Sequence, residues 1–138
     1  MLPVYRVRDG FSTSQQNKKT FDKTFEVLRR NGTVIIFAEG SHSLIRNLRP
    51  LSKGFTRMAF GLKEKYPEKE PVILPVAFGY SAHRRSGSRV RITFDRPIPV
   101  DMPASKSGQL TKAVETALSQ LVVTIPSTDY EEKLDSLI

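Results

Sequence analysis

A carboxylate, a glycine, two hydroxyls and an imidazole follow directly on an apolar run in the first half of the chain. The run is Val34-Ile35-Ile36-Phe37, and the polar cluster is Glu39-Gly40-Ser41-His42-Ser43. Gly40 permits a turn, or a close approach to a ligand, that a Cβ would block. The pattern predicts a ligand-binding site at the end of a strand. The alternative is a plain exit from strand to loop with a solvated Glu39.

The apolar run predicts where this site lies in the fold. Four β-branched or aromatic residues without polar alternation are typical of a strand covered on both faces, as in a parallel sheet flanked by helices. Ligands of such sheets bind beyond the carboxyl ends of the strands, which is where Glu39 and Gly40 fall. We therefore expect a buried strand that carries the site at its end.

Helical and strand patterns alternate along the rest of the chain. Phe21, Phe25 and Leu28 give one helix an apolar face, and Asn31-Gly32 predicts its end. Ser52 predicts the N-cap of the next helix. The predicted elements are strand 2–5, helix 16–30, strand 34–37, helix 52–65, strand 71–80, strand 89–94, helix 110–121 and a short acidic helical tail at 130–138.

This order of elements, β-α-β-α-β-β-α, predicts an α/β fold with a mostly parallel sheet flanked by helices, an α/β sandwich. Pro75 removes a ladder donor from strand 71–80, so that strand is expected to kink, bulge or lie at a sheet edge. Residues 83–88 predict a hairpin tip, and residues 95–103 predict a proline-rich connection.

Length and composition bound the class of protein. A chain of 138 residues with 38% hydrophobic and 26% charged residues is typical of one folded domain. The absence of cysteine excludes a disulfide framework, a thiolate zinc site and a cysteine nucleophile. Two histidines without further ligands at metal-binding spacing predict neither a metal site nor a cofactor.

The net charge of +8 and the isoelectric point of about 10.0 predict an anionic partner, which is phosphate, nucleic acid or an anionic membrane surface. No apolar stretch approaches the length of a transmembrane helix, and the first residues do not open a signal peptide. We expect a cytoplasmic protein that binds peripherally to the inner face of a membrane.

Three short pieces of the chain resemble, in their order, the second, third and fourth sequence blocks of the glycerolipid acyltransferases. This family includes glycerol-3-phosphate and 1-acylglycerol-3-phosphate acyltransferases. The pieces are Leu2-Pro3-Val4-Tyr5-Arg6, Phe37-Ala38-Glu39-Gly40-Ser41 and Ile73-Leu74-Pro75-Val76, and Lys53-Gly54 resembles the same family. The resemblance implies an acyltransferase domain over residues 1–126, with 127–138 as a short tail.

The resemblance also implies which residues bind substrate. In the family, the Arg of the second block and the Glu-Gly of the third bind the acceptor and its phosphate, which assigns those roles to Arg6, Glu39 and Gly40. Guanidinium suits bidentate phosphate binding, and glycine exposes backbone N–H groups to an anion. Glu39 is expected to orient basic residues or to accept a hydrogen bond from a glycerol hydroxyl. The matching residues Ser41, Lys53, Gly54 and Pro75 complete the expected substrate-binding set.

The third block departs from the family pattern at two places. The family usually has Pro where Ala38 stands and Thr-Arg where Ser41-His42 stands. Ser41 keeps the hydroxyl, whereas His42 loses a permanent cation that Arg46 or Arg49 could supply. We interpret His42 as a surface residue of a loop, because no carboxylate is paired with it in the sequence.

The family's catalytic block, a His followed by four residues and an Asp, is not in the sequence. That His takes the proton from the acceptor hydroxyl, and the Asp orients the imidazole. At the Asp position, His42 is followed by Asn47 and His83 by Ser88. We therefore assign no catalytic residue and expect the C-terminal part of a longer acyltransferase, inactive alone.

The activity that the resemblance implies is transfer of a fatty acyl group from acyl-CoA or acyl carrier protein to glycerol 3-phosphate or lysophosphatidate, in phospholipid biosynthesis at a membrane. Two other hypotheses stay open. One is a non-catalytic lipid- or partner-binding remnant of the same fold, and the other is a small basic nucleic-acid-binding module. Against the last, the basic residues are scattered and no nucleic-acid-binding signature is present.

Overall fold

The computed structural model describes residues 13–40, 47–81 and 86–122. Outside those ranges lie the expected strand 2–5, half of the expected hairpin tip, the domain boundary at 126 and the tail 130–138. The described elements are α1 (Thr13–Arg29), α2 (Gly54–Lys65), β1 (Val72–Ile73), β2 (Val76–Tyr80), β3 (Val90–Phe94), β4 (Ile98–Pro99), a 3-10 helix (Ala104–Lys106) and α3 (Ser107–Leu121).

The first helix, α1, ends where Asn31 enters the left-handed region with a φ of 60°. The Asn31 N–H donates to the Leu28 carbonyl at 3.0 Å, and the Gly32 N–H donates to the Val27 carbonyl at 2.9 Å. These two bonds satisfy carbonyls in the last turn that have no partner further along the helix. They confirm Asn31-Gly32 as the helix stop, although α1 begins three residues earlier than expected.

Replacing Gly32 by alanine is expected to destabilise the protein by about 1–3 kcal/mol, the range for forcing extra atoms into a packed site. The added Cβ would lie 2.7 Å from both the Val27 carbonyl oxygen and its Cγ1. Gly108→Ala is the matched control, because a Cβ at that helical position meets nothing within 4 Å and alanine favours helix. Denaturant midpoints measure both changes, and an unchanged midpoint for Gly32→Ala would contradict the close contact.

The second helix, α2, packs on α1 where the ring of Phe25 lies beside Gly61. A Cβ at Gly61 would approach Phe25 Cζ to 2.8 Å, so the glycine makes room for the ring. At the rim of this contact, Lys65 Nζ lies 3.2 Å from Asp22 Oδ1, and that hydrogen bond raises the pKa of the Lys65 ammonium. The exposed Lys65–Asp22 ion pair adds little stability. The contact of Phe25 with Gly61 therefore contributes more to the packing of α1 on α2 than this ion pair does.

The start of α2 differs from the expectation. Lys53, not Ser52, occupies the N-cap position, and no side chain caps the helix. The Ser52 N–H donates to the Ala38 carbonyl at 2.7 Å, which keeps Ser52 in the loop before the helix. The predicted Ser52 cap is therefore wrong, and no side chain among the described residues caps the first turn of α2.

The predicted strand 71–80 is broken at Leu74-Pro75 into β1 and β2, which belong to different sheets. β1 pairs antiparallel with β4, and β2 pairs antiparallel with β3 over five residues. Pro75 has no N–H to donate, and its carbonyl accepts the Asp95 N–H at 3.0 Å. The strand is interrupted at Pro75, where a disturbance was expected, and β4 forms inside a stretch that was expected to be connection only.

Two buried clusters hold the helices on the β1–β4 sheet. The first comprises Leu51, Phe55 and Val114, and the second comprises Ala59, Val100 and Leu110. Ile73 of β1 and Ile98 of β4 pack against both clusters. This small sheet therefore joins α2 to α3 and fixes the loop before α2, which contains Leu51.

The run Val34-Ile35-Ile36-Phe37 does not have the burial that the sequence predicts. Ile35 is 76% exposed and Phe37 is 73% exposed. In the described ranges the run pairs with no strand, so no neighbouring strand covers it there. The described residues contain both helices and strands, as expected. Both described sheets are antiparallel, however, and the expected mostly parallel sheet is not seen there.

One face of the β2–β3 hairpin is also apolar and exposed. The apolar hairpin face comprises Phe78, Tyr80, Val90, Ile92 and Phe94, which are between 43% and 62% exposed. The ring of Phe37 lies 6.4 Å from the ring of Phe78, so the exposed run continues this face. The alternation predicted for the second strand of the hairpin is confirmed, but its apolar side remains open.

Candidate functional site

The turn that carries Glu39 and Gly40 is tied to the loop before α2 by two hydrogen bonds. The Arg49 N–H donates to Glu39 Oε2 at 3.1 Å, and the Ser52 N–H donates to the Ala38 carbonyl at 2.7 Å. Gly40 has a φ of +64°, a conformation that glycine adopts without strain. The Glu39 side chain therefore accepts a backbone N–H and helps to position the loop.

The start of α2 follows this loop directly, one to two residues after Ser52, whose N–H bonds the Ala38 carbonyl. Lys53 occupies the N-cap position and Gly54 is the first residue of the helix. The Lys53 carbonyl accepts the Thr56 hydroxyl at 2.9 Å and the Arg57 N–H at 3.1 Å. An uncapped helix N-terminus attracts anions, since its N–H groups and the helix dipole both favour negative charge. The structure thus brings Lys53 and Gly54 to the loop that Glu39 holds.

The same loop is fixed on its other side by α3. The Leu51 N–H donates to Glu115 Oε1 at 3.2 Å, across 64 residues of sequence. Leu51 itself is buried against Phe55 and Val114. The loop is therefore held between the Glu39 turn and α3 by one carboxylate on each side.

Glu115→Ala is expected to loosen this loop and to speed hydrogen exchange at the Leu51 amide by about tenfold, the effect of losing roughly one net hydrogen bond. Glu115→Gln keeps an acceptor oxygen at the same position, so it is expected to keep most of the protection. Exchange monitored by NMR would measure both variants. If Glu115→Ala leaves the Leu51 amide as protected as in the wild type, the bond does not hold the loop.

Pro75 takes no part in the hydrogen bonds described above for the Glu39 turn and the loop. It is buried at the junction of β1 and β2, and its carbonyl bonds the Asp95 N–H. Its role in the described structure is to redirect the chain from one sheet to the other. A contact between Pro75 and substrate stays a prediction.

A groove of about 670 Å³ opens between the loop and α3. Its polar walls come from loop residues Asn47 and Arg49 and from four residues of α3, which are Lys112, Glu115, Thr116 and Ser119. The groove adjoins the Glu39 site, because the backbone of Arg49 bonds Glu39 while Arg49 also lines the groove.

Neither a metal-binding group nor a membrane-spanning helix is found among residues 13–40, 47–81 and 86–122. No group of three or more His, Asp or Glu side chains in these ranges could hold a metal ion. None of their helices combines the length and the apolar character needed to cross a membrane.

Comparison with known proteins assigns the chain to a family. Residues 2–79, more than half of the chain, match the family model described as Acyltransferase. The chain belongs to the glycerolipid acyltransferase family. It is 28% identical over 120 residues to glycerol-3-phosphate O-acyltransferase 1 of Saccharomyces cerevisiae. The aligned region covers 80% of this chain and 16% of the relative. Glycerol-3-phosphate O-acyltransferase 2 of the same yeast is 26% identical over 122 residues, with coverage of 82% and 16%.

The chain therefore spans about a sixth of the length of the curated relatives that it matches. No solved structure matches the chain. The matched residues include the turn at Glu39, the loop after it and the start of α2, which the structure joins by hydrogen bonds.

The residues assigned by resemblance fall into three groups in the structure. Glu39, Gly40, Lys53 and Gly54 lie in one hydrogen-bonded region, and Pro75 lies in the sheet. Arg6, Ser41, His42 and Arg46 lie outside the described residues. Substrate contact by any of these residues remains a prediction.

Sequence reasoning missed the contribution of α3. Lys112, Glu115, Thr116 and Ser119 follow one another at intervals of three, one and three residues, which places them on one helical face. This polar stripe beside the apolar stripe of Leu110 and Val114 was the available signal. The sequence does not show that Glu115 faces the loop, because that contact depends on how α3 packs on the β1–β4 sheet.

Proposed function

We propose that this chain supplies the acceptor-binding part of an acyltransferase of phospholipid biosynthesis. The reaction is transfer of a fatty acyl group from acyl-CoA or acyl carrier protein to a hydroxyl of glycerol 3-phosphate or lysophosphatidate. The observation that carries the proposal is that the family match includes Glu39, Gly40, Lys53 and Gly54, and that hydrogen bonds join the segments bearing them.

In this proposal, different residues bind the phosphate and the hydroxyl of the acceptor. The acceptor phosphate is drawn to the uncapped start of α2 and to Lys53, with Arg6 as a further cation by family resemblance. Glu39 uses Oε2 for the Arg49 N–H, and its other oxygen accepts a hydrogen bond from an acceptor hydroxyl. The carboxylate therefore orients the hydroxyl while basic groups hold the phosphate.

The chemical step needs a base that the sequence does not contain. In acyl transfer the acceptor oxygen attacks the thioester carbonyl, the carbon–sulfur bond breaks, and the hydroxyl proton passes through the base to the departing thiol. The family uses its His-x-x-x-x-Asp block for this proton, and no such spacing occurs here. We propose that the chain binds substrates and depends on a separate His-Asp pair for turnover.

The finer features of the fold belong to the same proposal. In the active enzyme we place the run at 34–37 as one strand of a mostly parallel sheet, with its apolar side chains covered. Support comes from the exposure of Ile35 and Phe37 and from the open apolar hairpin face beside them, because such extended apolar surface is rare on isolated domains.

Location is proposed from charge. The net charge of +8 favours an anionic surface. We propose peripheral binding on the cytoplasmic side, where the lipid acceptor and the acyl donor are both available.

Equilibrium binding to the full chain tests the proposal. Glycerol 3-phosphate and lysophosphatidate are expected to bind with Kd values between about 1 μM and 1 mM, the usual range of substrate affinity, and glycerol is expected to bind far more weakly. A single-stranded oligonucleotide serves as the competitor from the rival class. If the oligonucleotide displaces both ligands and binds with a steep dependence on salt, the nucleic-acid hypothesis is favoured instead.

A further inference from the structure

We propose that the groove between the 47–51 loop and α3 binds a phosphomonoester, with Lys112 and Arg49 as the two cations that hold it. This inference rests on the proposed function and extends it to a surface outside the residues assigned by resemblance. The groove is formed by segments from distant parts of the sequence, since Arg49 and Lys112 are 63 residues apart. Both basic residues line the same cavity of about 670 Å³.

The charge of the lining favours an anion. Two cations, Arg49 and Lys112, face one carboxylate, Glu115, and one oxygen of that carboxylate already accepts the Leu51 N–H at 3.2 Å. Lys112 forms no ion pair with any residue in the described ranges, although Glu115 lies one helical turn away. Its ammonium is therefore available to a ligand, and removing it from the groove would leave no net positive charge there.

Hydrogen bonding narrows the ligand class further. The Thr116 hydroxyl donates to the Lys112 carbonyl at 2.9 Å, and the Ser119 hydroxyl donates to the Thr116 carbonyl at 2.7 Å. These hydroxyl protons are already used within α3, so the groove offers a ligand the positive charges of Lys112 and Arg49 and the amide of Asn47. A ligand rich in acceptor oxygens and negative charge matches this set, and a phosphomonoester supplies three such oxygens.

The groove has room for more than a phosphate. A cavity of about 670 Å³ falls within the range of sites that hold small-molecule ligands and cofactors. Leu48 and Pro50 line it beside the polar groups, so part of the wall is apolar. The phosphate could belong to the acyl acceptor or to the nucleotide end of coenzyme A, and the shared chemistry is a terminal phosphate next to a less polar group.

Charge reversal at Lys112 tests this inference on the full chain. The probes are inorganic phosphate, glycerol 3-phosphate against glycerol, and coenzyme A against 3′-dephospho-coenzyme A, each titrated by calorimetry at low salt. Lys112→Glu is expected to weaken binding of the phosphate-bearing member of a pair by at least about tenfold, as for the loss of a charge-assisted hydrogen bond. Lys112→Arg is expected to keep binding within about threefold, because it keeps the charge.

Lys23→Glu is the matched control, since Lys23 is an exposed lysine of α1 outside the groove. It changes the net charge equally and is expected to alter each Kd by less than about twofold at a given salt concentration. An effect of Lys112→Glu on glycerol 3-phosphate alone assigns the groove to the acceptor, and an effect on coenzyme A alone assigns it to the donor. Arg49→Gln is expected to weaken the same ligand.

The outcomes separate this inference from the proposed function. If the wild-type chain binds glycerol 3-phosphate or coenzyme A but Lys112→Glu and Lys23→Glu bind equally well, the groove inference is wrong and the proposed function stands. If only inorganic phosphate binds and depends on Lys112, the groove is an anion site and the proposed function is wrong. If no phosphate-bearing probe binds, both are wrong.

Discussion

Leu110→Ala is expected to lower the free energy of unfolding by about 2–5 kcal/mol, the range for truncating a fully buried leucine. Leu110 is 0% exposed and belongs to the cluster with Ala59 and Val100, against which Ile73 and Ile98 also pack. Truncation removes apolar atoms and leaves a cavity where α2, α3 and the β1–β4 sheet meet. Ile73 and Ile98 also pack against the cluster that contains Leu51 of the loop before α2. The truncation is therefore expected to weaken the packing of that loop as well.

Chemical denaturation followed by circular dichroism measures this change. Leu74→Ala is the matched control, since Leu74 is 46% exposed and lies in the chain between β1 and β2. The control is expected to cost less than about 1 kcal/mol, as for most exposed substitutions. Equal losses for the two variants would show that the β1–β4 layer is not the stabilising core, and the packing described for α3 would be wrong.

Local signals in the sequence predicted the helices and the hairpin well. Asn31-Gly32 stops α1 through its own backbone bonds, and the alternation in residues 89–94 gives β3. These features depend on neighbours within a few residues, so the sequence contains most of the information that determines them. The Ser52 cap failed because α2 begins at Gly54, which leaves Lys53 and not Ser52 in the N-cap position.

Features that depend on distant partners were predicted less well. The apolar run at 34–37 is a strong strand pattern, yet a strand is completed by hydrogen bonds to another strand, and no described strand pairs with it. β4 was missed because two residues within a proline-rich stretch carry no periodic pattern of their own. Its register opposite Val72 and Ile73 depends on the break at Pro75.

The candidate site shows the same division. Motif resemblance found Glu39, Gly40, Lys53 and Gly54, which the structure joins through the intervening loop. It did not find Glu115, because the bond to Leu51 crosses 64 residues and exists only after α3 has packed. Residues of local motifs are therefore visible in the sequence, whereas residues that position those motifs appear only in the fold.

Glu39→Ala is expected to lower kcat/KM for glycerol 3-phosphate by about 100-fold, the loss that accompanies misplacement of a substrate by roughly 1 Å. The carboxylate accepts the Arg49 N–H at 3.1 Å, so its removal frees one side of the loop that leads to Lys53 and Gly54. It also removes the oxygen proposed to orient the acceptor hydroxyl. Both effects act on the position of the acceptor.

The assay needs a His-Asp pair, so we would place this chain in yeast glycerol-3-phosphate O-acyltransferase 1 in exchange for the 120-residue segment that it matches. Thiol release from acyl-CoA measures turnover, and the Kd for glycerol 3-phosphate of the chain alone provides a second measurement on the same variants. Glu70→Ala removes an exposed carboxylate elsewhere and is expected to change neither value by more than about twofold.

Glu39→Gln separates the two roles of the carboxylate. The amide keeps an oxygen that can accept the Arg49 N–H but loses the negative charge. Activity near that of the wild type would mean that holding the loop is the main contribution of Glu39. A loss as large as that of Glu39→Ala would mean that the charged oxygen orients the acceptor hydroxyl directly. If Glu39→Ala keeps kcat/KM and Kd within twofold of the wild type, Glu39 has no part in acceptor binding, and the assignment by resemblance is wrong.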